Sequence, residues 1–221
     1  MSSNVVLKRT CMRDRIRDTL VSRILDGTYP AGTQLKELYL AREFDVSQAP
    51  IREALRELEG SGLVSSERFR GTRVRGADCA EMRESYELRM MLEMRSVTLA
   101  APYEDVLLDE LSEHLRLMDA AVKADDSEAY IDSALRFHRR LVESSGNRTF
   151  LSVWDSLLWD IRGRIALRRL TEQGKSLKAL LNMHRTLLAR LRAQDVEGAT
   201  ERVKAILERV CSAFDESAEV R

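Results

Sequence analysis

The run Val46-Ser47-Gln48-Ala49-Pro50-Ile51-Arg52-Glu53-Ala54-Leu55-Arg56-Glu57-Leu58-Glu59, with Gly62-Leu63-Val64 close behind it, decides how this chain is read. Ser47 is a residue type that caps helix N-termini, and Pro50 then falls in the first turn, where a missing N–H costs no hydrogen bond. Ile51, Leu55 and Leu58 recur on one face, while Gln48, Ala49 and Arg52 lie at the exposed N-terminal end. A helix of this make-up, delivered by a tight turn from a preceding helix, has the layout of a DNA recognition helix entering a major groove.

Upstream, Glu37 to Phe44 is predicted to form the partner helix, with Asp45-Val46-Ser47 as the turn, which places a helix-turn-helix at about residues 37–56. Ala41 is small where two helices must approach closely, and Leu38, Leu40, Val46, Ile51, Leu55 and Leu58 are the expected shared core. A first helix is predicted over Met12 to Leu25, with Ile16, Leu20, Val21, Ile24 and Leu25 as its buried stripe and Asp26-Gly27 ending it. Tyr29-Pro30-Ala31-Gly32-Thr33 is a turn by its Pro and Gly content. Downstream, Leu63 to Glu67 and Thr72 to Arg75 can pair as a β-wing around Arg68-Phe69-Arg70-Gly71, whose arginines would reach phosphates or a minor groove. The expected DNA contacts are Lys36, Ser47, Gln48, Ala49, Arg52, Arg56, Arg68, Arg70 and Gly71.

Composition agrees with an ordered protein: 221 residues at 44% hydrophobic content are enough for one or two cores. No apolar run approaches the ~18–20 residues that cross a bilayer, and the N-terminus lacks a signal-peptide core, so a cytoplasmic protein with no membrane partner is expected. Cys11, Cys79 and Cys211 show no C-x-x-C spacing and support neither a disulfide framework nor a thiolate zinc site. The net charge of zero hides an asymmetry. Residues 1–77 carry 14 Lys/Arg against 10 Asp/Glu, and residues 78–221 carry 22 against 26, so only the first part is biased towards phosphate. The predicted organisation is therefore a winged helix-turn-helix over 1–77 and an all-α antiparallel bundle over 78–221, mainly α overall.

The second part reads as about six helices, with breaks near Pro102, Asp125-Asp126, Gly146-Asn147, Gly174 and Gln194-Asp195. Tyr86, Met90, Leu92, Met94 and Val97 mark one apolar stripe, and Leu107, Leu108, Leu111, Leu115 and Met118 the next. Leu151, Trp154, Leu158, Ile161 and Ile165 mark a later one.

At this point the residues resemble a family. Leu25-Asp26-Gly27, Pro30-Ala31-Gly32-Thr33-Gln34-Leu35 and Val46 through Leu55 are similar to the DNA-binding pattern of GntR-type winged-helix regulators. Tyr86-Glu87-Leu88-Arg89 with Glu93, and Phe137-His138-Arg139 with Ser145-Gly146-Asn147, resemble the FCD effector domain of the FadR subfamily. Gln48 and Ala49 depart from the Arg and Thr common in such regulators, while Arg52 is retained. Arg suits guanine, Gln suits adenine, and Ala offers only an apolar contact, so a divergent operator is expected.

The resemblance further implies a homodimer on a palindromic duplex, controlled by a small molecule in the bundle. Family cavities often hold a divalent metal on one Asp and three His. Here His138 and His184 match two of those positions, but Ala134 and Ile206 stand at the others, and Asp132 lies on a different side of its helix from His138. No cofactor is therefore expected, and any metal would rest on His138 and His184 alone. Arg89, His138 and His184 are the expected ligand residues for a small carboxylate. The other reading open at this stage makes both histidines core residues and pairs Arg89 with Glu87 or Glu93. His114, in a charged stretch, is expected at the surface.

The function expected from these residues is that of a ligand-responsive repressor, beside which an enzyme, a protein scaffold and a metal sensor are the alternatives. An enzyme finds no Gly-rich phosphate loop, nucleophile elbow or full metal set, so none is expected. A metal-sensing bundle built on His138 and His184 is the alternative function, and steep salt dependence of duplex binding separates a DNA binder from a protein scaffold.

Overall fold

The computed structural model describes residues 12–25, 27–67, 71–75, 78–157 and 159–215. Cys11, Asp26, the wing-tip residues Arg68, Phe69 and Arg70, Gly76, Ala77 and Leu158 lie outside them. The chain divides into two compact units, Met1–Asp78 and Cys79–Arg221.

In the first unit, α1 spans Met12–Leu25, β1 Gln34–Leu35, α2 Glu37–Glu43, α3 Gln48–Gly60, β2 Val64–Glu67 and β3 Gly71–Val74. The core forms where α1 crosses α3. Ile16 and Leu20 from α1 meet Ile51, Ala54, Leu55 and Leu58 from α3, all fully or nearly fully buried. Burying each such aliphatic side chain contributes roughly 1.5–3 kcal/mol. At the rim, Glu57 of α3 accepts from Arg13 at 3.0 Å and Arg17 at 3.4 Å, clamping α1 in register. The helix-turn-helix turn puts Asp45 at φ 52°, a left-handed conformation that Asp tolerates, and Val46 N–H closes it onto the Ala41 carbonyl at 3.0 Å.

Three details differ from the sequence expectation. Leu38 is 53% exposed instead of core. Leu40 and Ala41 point inward, and Leu38, two residues before Leu40, is carried about 200° around the helix at 100° per residue. Ser47 occupies the N-cap of α3 with extended backbone, but its hydroxyl makes no capping bond. The wing also gains a third strand: β1 pairs antiparallel with β3, giving the order β1-β3-β2, with Leu35 buried beneath it. Gly71 opens β3 at φ +79°, where an L side chain would be strained.

The second unit contains α4 Cys79–Leu99, α5 Asp105–Lys123, α6 Ser127–Ser144, α7 Arg148–Ser156, α8 Trp159–Glu172, α9 Leu177–Arg192 and α10 Val196–Cys211, then a 3-10 turn Ser212–Phe214. Side chains set the starts of three of these helices. Asp126 accepts from Ala129 N–H, Asn147 from Thr149 and Phe150, and Asp195 from Gly198.

The helix expected to run through Leu151 and Ile165 is instead two, α7 and α8. Trp154 and Trp159 are both buried. Five residues apart on one straight helix they would point about 140° away from each other, so one bundle core cannot take both without a break. His114 is half-buried, with a buried Nδ1 that has no hydrogen-bond partner, and not fully at the surface. The bundle packs α4 against α6 and α10, α5 against α6 and α9, and α9 against α10.

Candidate functional site

The exposed end of α3 gathers most of the residues expected to meet DNA. Ser47, Gln48, Ala49, Arg52 and Arg56 are all exposed there, Lys36 stands exposed at the N-cap of α2, and Gly71 is exposed at the start of β3. Arg52 is held in place. Its Nε donates to both carboxylate oxygens of Glu37 at 3.1 Å, and a terminal nitrogen donates to Glu37 Oε2 at 2.7 Å. This bond raises the Arg52 guanidinium above its ordinary value. A planar guanidinium fixed on one edge keeps its other edge oriented for a base, at less cost in side-chain entropy than a free chain. Glu37 was not legible as a site residue, because the pair spans fifteen positions between two helices.

The second unit holds a buried polar cluster on α4, α6, α7 and α9. Glu93, fully buried, accepts from Arg89 Nε at 2.6 Å and Trp154 Nε1 at 3.2 Å, and its other oxygen meets His138 Nδ1 at 2.5 Å. His138 Nε2 lies 3.1 Å from His184 Nε2, and His184 Nδ1 lies 2.8 Å from the Leu180 carbonyl. Of the pairings left open for Arg89, the structure makes the one with Glu93.

The proton positions follow from these bonds. His184 must donate through Nδ1 to the Leu180 carbonyl, so in its neutral form Nε2 is an acceptor and His138 Nε2 donates to it. Burial, with the positive charge of His138 second, pushes His184 down to about 3, which keeps it neutral. Burial alone would raise the Glu93 carboxyl, but the charges of His138 and Arg89 outweigh it and hold Glu93 at about 2. With Glu93 ionised, its carboxylate is shared by the Arg89 guanidinium, the His138 imidazole and the Trp154 indole.

Beside this cluster lies a cavity of about 30 Å³ reached by Arg89, His138 and His184. Ala134 and Ile206 also line it, together with Leu135, Leu167, Leu180, Leu207 and Val210. Tyr86 and Tyr130 are two further lining residues that the sequence did not flag, one read there as core and the other not singled out. Their hydroxyls are buried and have no hydrogen-bond partner among the described residues. Burial pushes the Tyr86 phenol up to about 12 against the opposing charge of Arg89, and raises Tyr130 as well. The Arg89 guanidinium stacks over Trp159 at 4.6 Å, with Tyr86 and Trp154 at 5.6 and 5.8 Å.

The donor set does not fit a divalent metal. Ala134 and Ile206 line the same cavity as the two histidines and offer no ligand atom, and no group of three His, Cys, Asp or Glu side chains gathers anywhere among the described residues. Two imidazoles fall short of the three or four protein ligands of ordinary zinc sites.

The pH dependence of stability follows directly. Below pH 6.5 the unfolded chain protonates His184 while the folded chain resists down to about 3, and below 4.5 the same holds for Glu93 down to about 2. Glu93 therefore stabilises the fold at neutral pH and loses that contribution in acid, while His184, neutral in both states at high pH, adds a growing penalty as pH falls below 6.5, so both make stability fall with pH. The expected slope is about 1.4 kcal/mol per pH unit for each proton taken up. Urea midpoints measured from pH 7 to pH 4 should fall steadily, and His184→Gln should flatten the upper half of that window. An upper half equally steep in His184→Gln would remove His184 from this account.

A three-helix winged unit with an arginine poised on its recognition helix, joined in one chain to a helical unit with a charged cavity, defines a DNA-binding regulator with an effector domain. Residues 12–74 match the gntR family of bacterial regulatory proteins, and residues 84–209 match the FCD domain. The gluconate operon transcriptional repressor of Bacillus licheniformis is 30% identical over 86% of this chain and 79% of its own length. That of Bacillus subtilis (strain 168) is 26% identical over 82% and 76%. The solved structure of Escherichia coli McbR/YncC, 23% identical, superposes with a TM-score of 0.74 over 94% of this chain and 98% of that one, a likeness of fold. The chain belongs to the GntR family, with an FCD domain following its DNA-binding domain: it is a ligand-responsive, DNA-binding transcriptional regulator and not an enzyme. No helix among the described residues is long and apolar enough to cross a membrane.

Proposed function

We propose that this regulator is a repressor that binds a palindromic operator as a homodimer and takes a small organic acid, without a metal, in the cavity of its helical unit. The single observation that carries the reading is the buried arginine on the cavity wall: Arg89 lines the cavity beside His138, and both share the one carboxylate of Glu93. A buried guanidinium facing a cavity favours an anion there, which gives its remaining donors partners. The polyol-acid operons named for the Bacillus relatives support regulation by an acid, and the repressor names of those relatives support the sign.

A dimer is supported by the outer face of α4. Met91 is 68% exposed in a groove shared with Met90, Met94 and α10, with Glu87 four residues before it and Arg95 four after. A second copy running antiparallel across Met91 sets each Glu87 opposite an Arg95, a self-complementary pattern suited to a two-fold axis. The test is a duplex selected from a random pool by the protein itself. The expected results are two chains per duplex and a Kd shifted about 5- to 150-fold by a saturating short carboxylate, with the shift persisting in chelator. A Kd that no organic acid moves would overturn the effector reading, and one chain per duplex the dimer.

A further inference from the structure

Resting on the proposal that the cavity binds an organic acid, we infer that the acid is a short, apolar-bodied monocarboxylate, seated on Arg89, Tyr86 and Tyr130. Size argues first. One water needs roughly 10–15 Å³, so a cavity of about 30 Å³ is on the scale of two or three such groups and favours the smallest carboxylates over a six-carbon polyhydroxy acid.

Polarity argues next, and independently. The walls away from the charged cluster are Ala134, Leu135, Leu167, Ile206, Leu207 and Val210, which give a row of sugar hydroxyls nothing to bond. A buried hydroxyl left unbonded costs about 1–3 kcal/mol, so such walls select against polyols. The polar groups that do face the space are concentrated. Arg89 bonds Glu93 through its Nε, which leaves its terminal nitrogens for a carboxylate in the bidentate manner guanidinium favours. Of the groups that line the cavity, the Tyr86 and Tyr130 hydroxyls have no hydrogen-bond partner among the described residues, and each can donate to a carboxylate oxygen. His138 and His184 bond each other through Nε2, so their part is to hold charge and shape, and the ligand contact falls to the arginine and the two phenols.

Trp154 and Trp159 are the only tryptophans of the chain and both touch this cluster, so intrinsic fluorescence reports on it without a label. The experiment titrates sodium propionate and sodium gluconate into the full-length protein, with Tyr86→Phe and Tyr130→Phe alongside. Propionate should saturate a fluorescence change, and gluconate should bind at least about tenfold more weakly. Each phenylalanine variant should weaken propionate about tenfold, the worth of one hydrogen bond to a charged group. The same variants, without ligand, should melt at or above the parent temperature, because each removes a buried hydroxyl that has no partner. A merely structural tyrosine would do the opposite, lowering the melting temperature and sparing propionate. Gluconate binding more tightly than propionate, or both variants binding propionate as the parent does, would overturn this inference and leave the effector proposal standing. If neither acid nor any other carboxylate bound, the effector proposal itself would fail.

Discussion

Glu93→Leu is expected to cost about 3–5 kcal/mol and to lower the melting temperature of the helical unit by roughly 10 °C. The reason is the number of groups that depend on one carboxylate. Glu93 is fully buried and answers Arg89, one turn before it on α4, together with His138 on α6 and Trp154 on α7. Removing it leaves the buried Arg89 guanidinium with no counter-charge, and the His138 imidazole and the Trp154 indole N–H without their shared partner. Replacing both ends of the ion pair should undo part of the damage, because an apolar pair of similar volume carries no desolvation cost. Arg89→Met with Glu93→Leu is therefore expected to melt above Glu93→Leu alone, although it abolishes acid binding. Thermal melts of the parent and the two variants decide the matter. A single Glu93→Leu melting within about 2 °C of the parent would show that the cluster does not organise the bundle.

Arg52→Ala is expected to weaken operator binding about 5- to 150-fold and to relax base preference at one position in each half-site. Arg52 is the arginine at the exposed N-terminal end of the recognition helix, and Glu37 pins one edge of it. A guanidinium fixed in this way contributes base discrimination more than bulk attraction, so binding to random duplex should change far less than binding to the selected site. Arg52→Lys should recover little, since a single ammonium cannot make the paired contact. Equal loss on selected and random duplex would make Arg52 a phosphate contact and shift base reading to Gln48 and Arg56.

The contrast between what the residues announced and what they concealed follows physical range. Local signals carried well: the buried stripe of Ile51, Leu55 and Leu58, the place of Pro50 in its first turn, and the breaks at Asp126, Asn147 and Asp195, where capping side chains sit beside the helix they start. The site positions Ala134, His138, His184 and Ile206, assigned through family resemblance, do line one cavity. What failed depended on distant partners or on helix phase. Leu38 looked apolar enough for the core but lies out of phase with Leu40. The α7–α8 break contains no Gly or Pro and arises from the need to bury Trp154 and Trp159 together. Pairing of β1 with β3, the Glu37–Arg52 clamp and the convergence of Tyr86 with Tyr130 join residues 15 to 44 positions apart, which no periodicity encodes.

Those residues also bear on how ligand and DNA affect one another. A ligand changes operator affinity only by as much as its own affinity differs between the DNA-bound and free proteins, so the coupling must be reciprocal. The most direct test of the account is the closed cycle: the Kd for propionate, read by tryptophan fluorescence, with and without saturating selected duplex, set against the Kd for duplex with and without saturating propionate. The account predicts that both ratios depart from one, in about the 5- to 150-fold range, and that they are equal. Two ratios of one would contradict it, by showing that the cavity and the recognition helix act as independent sites.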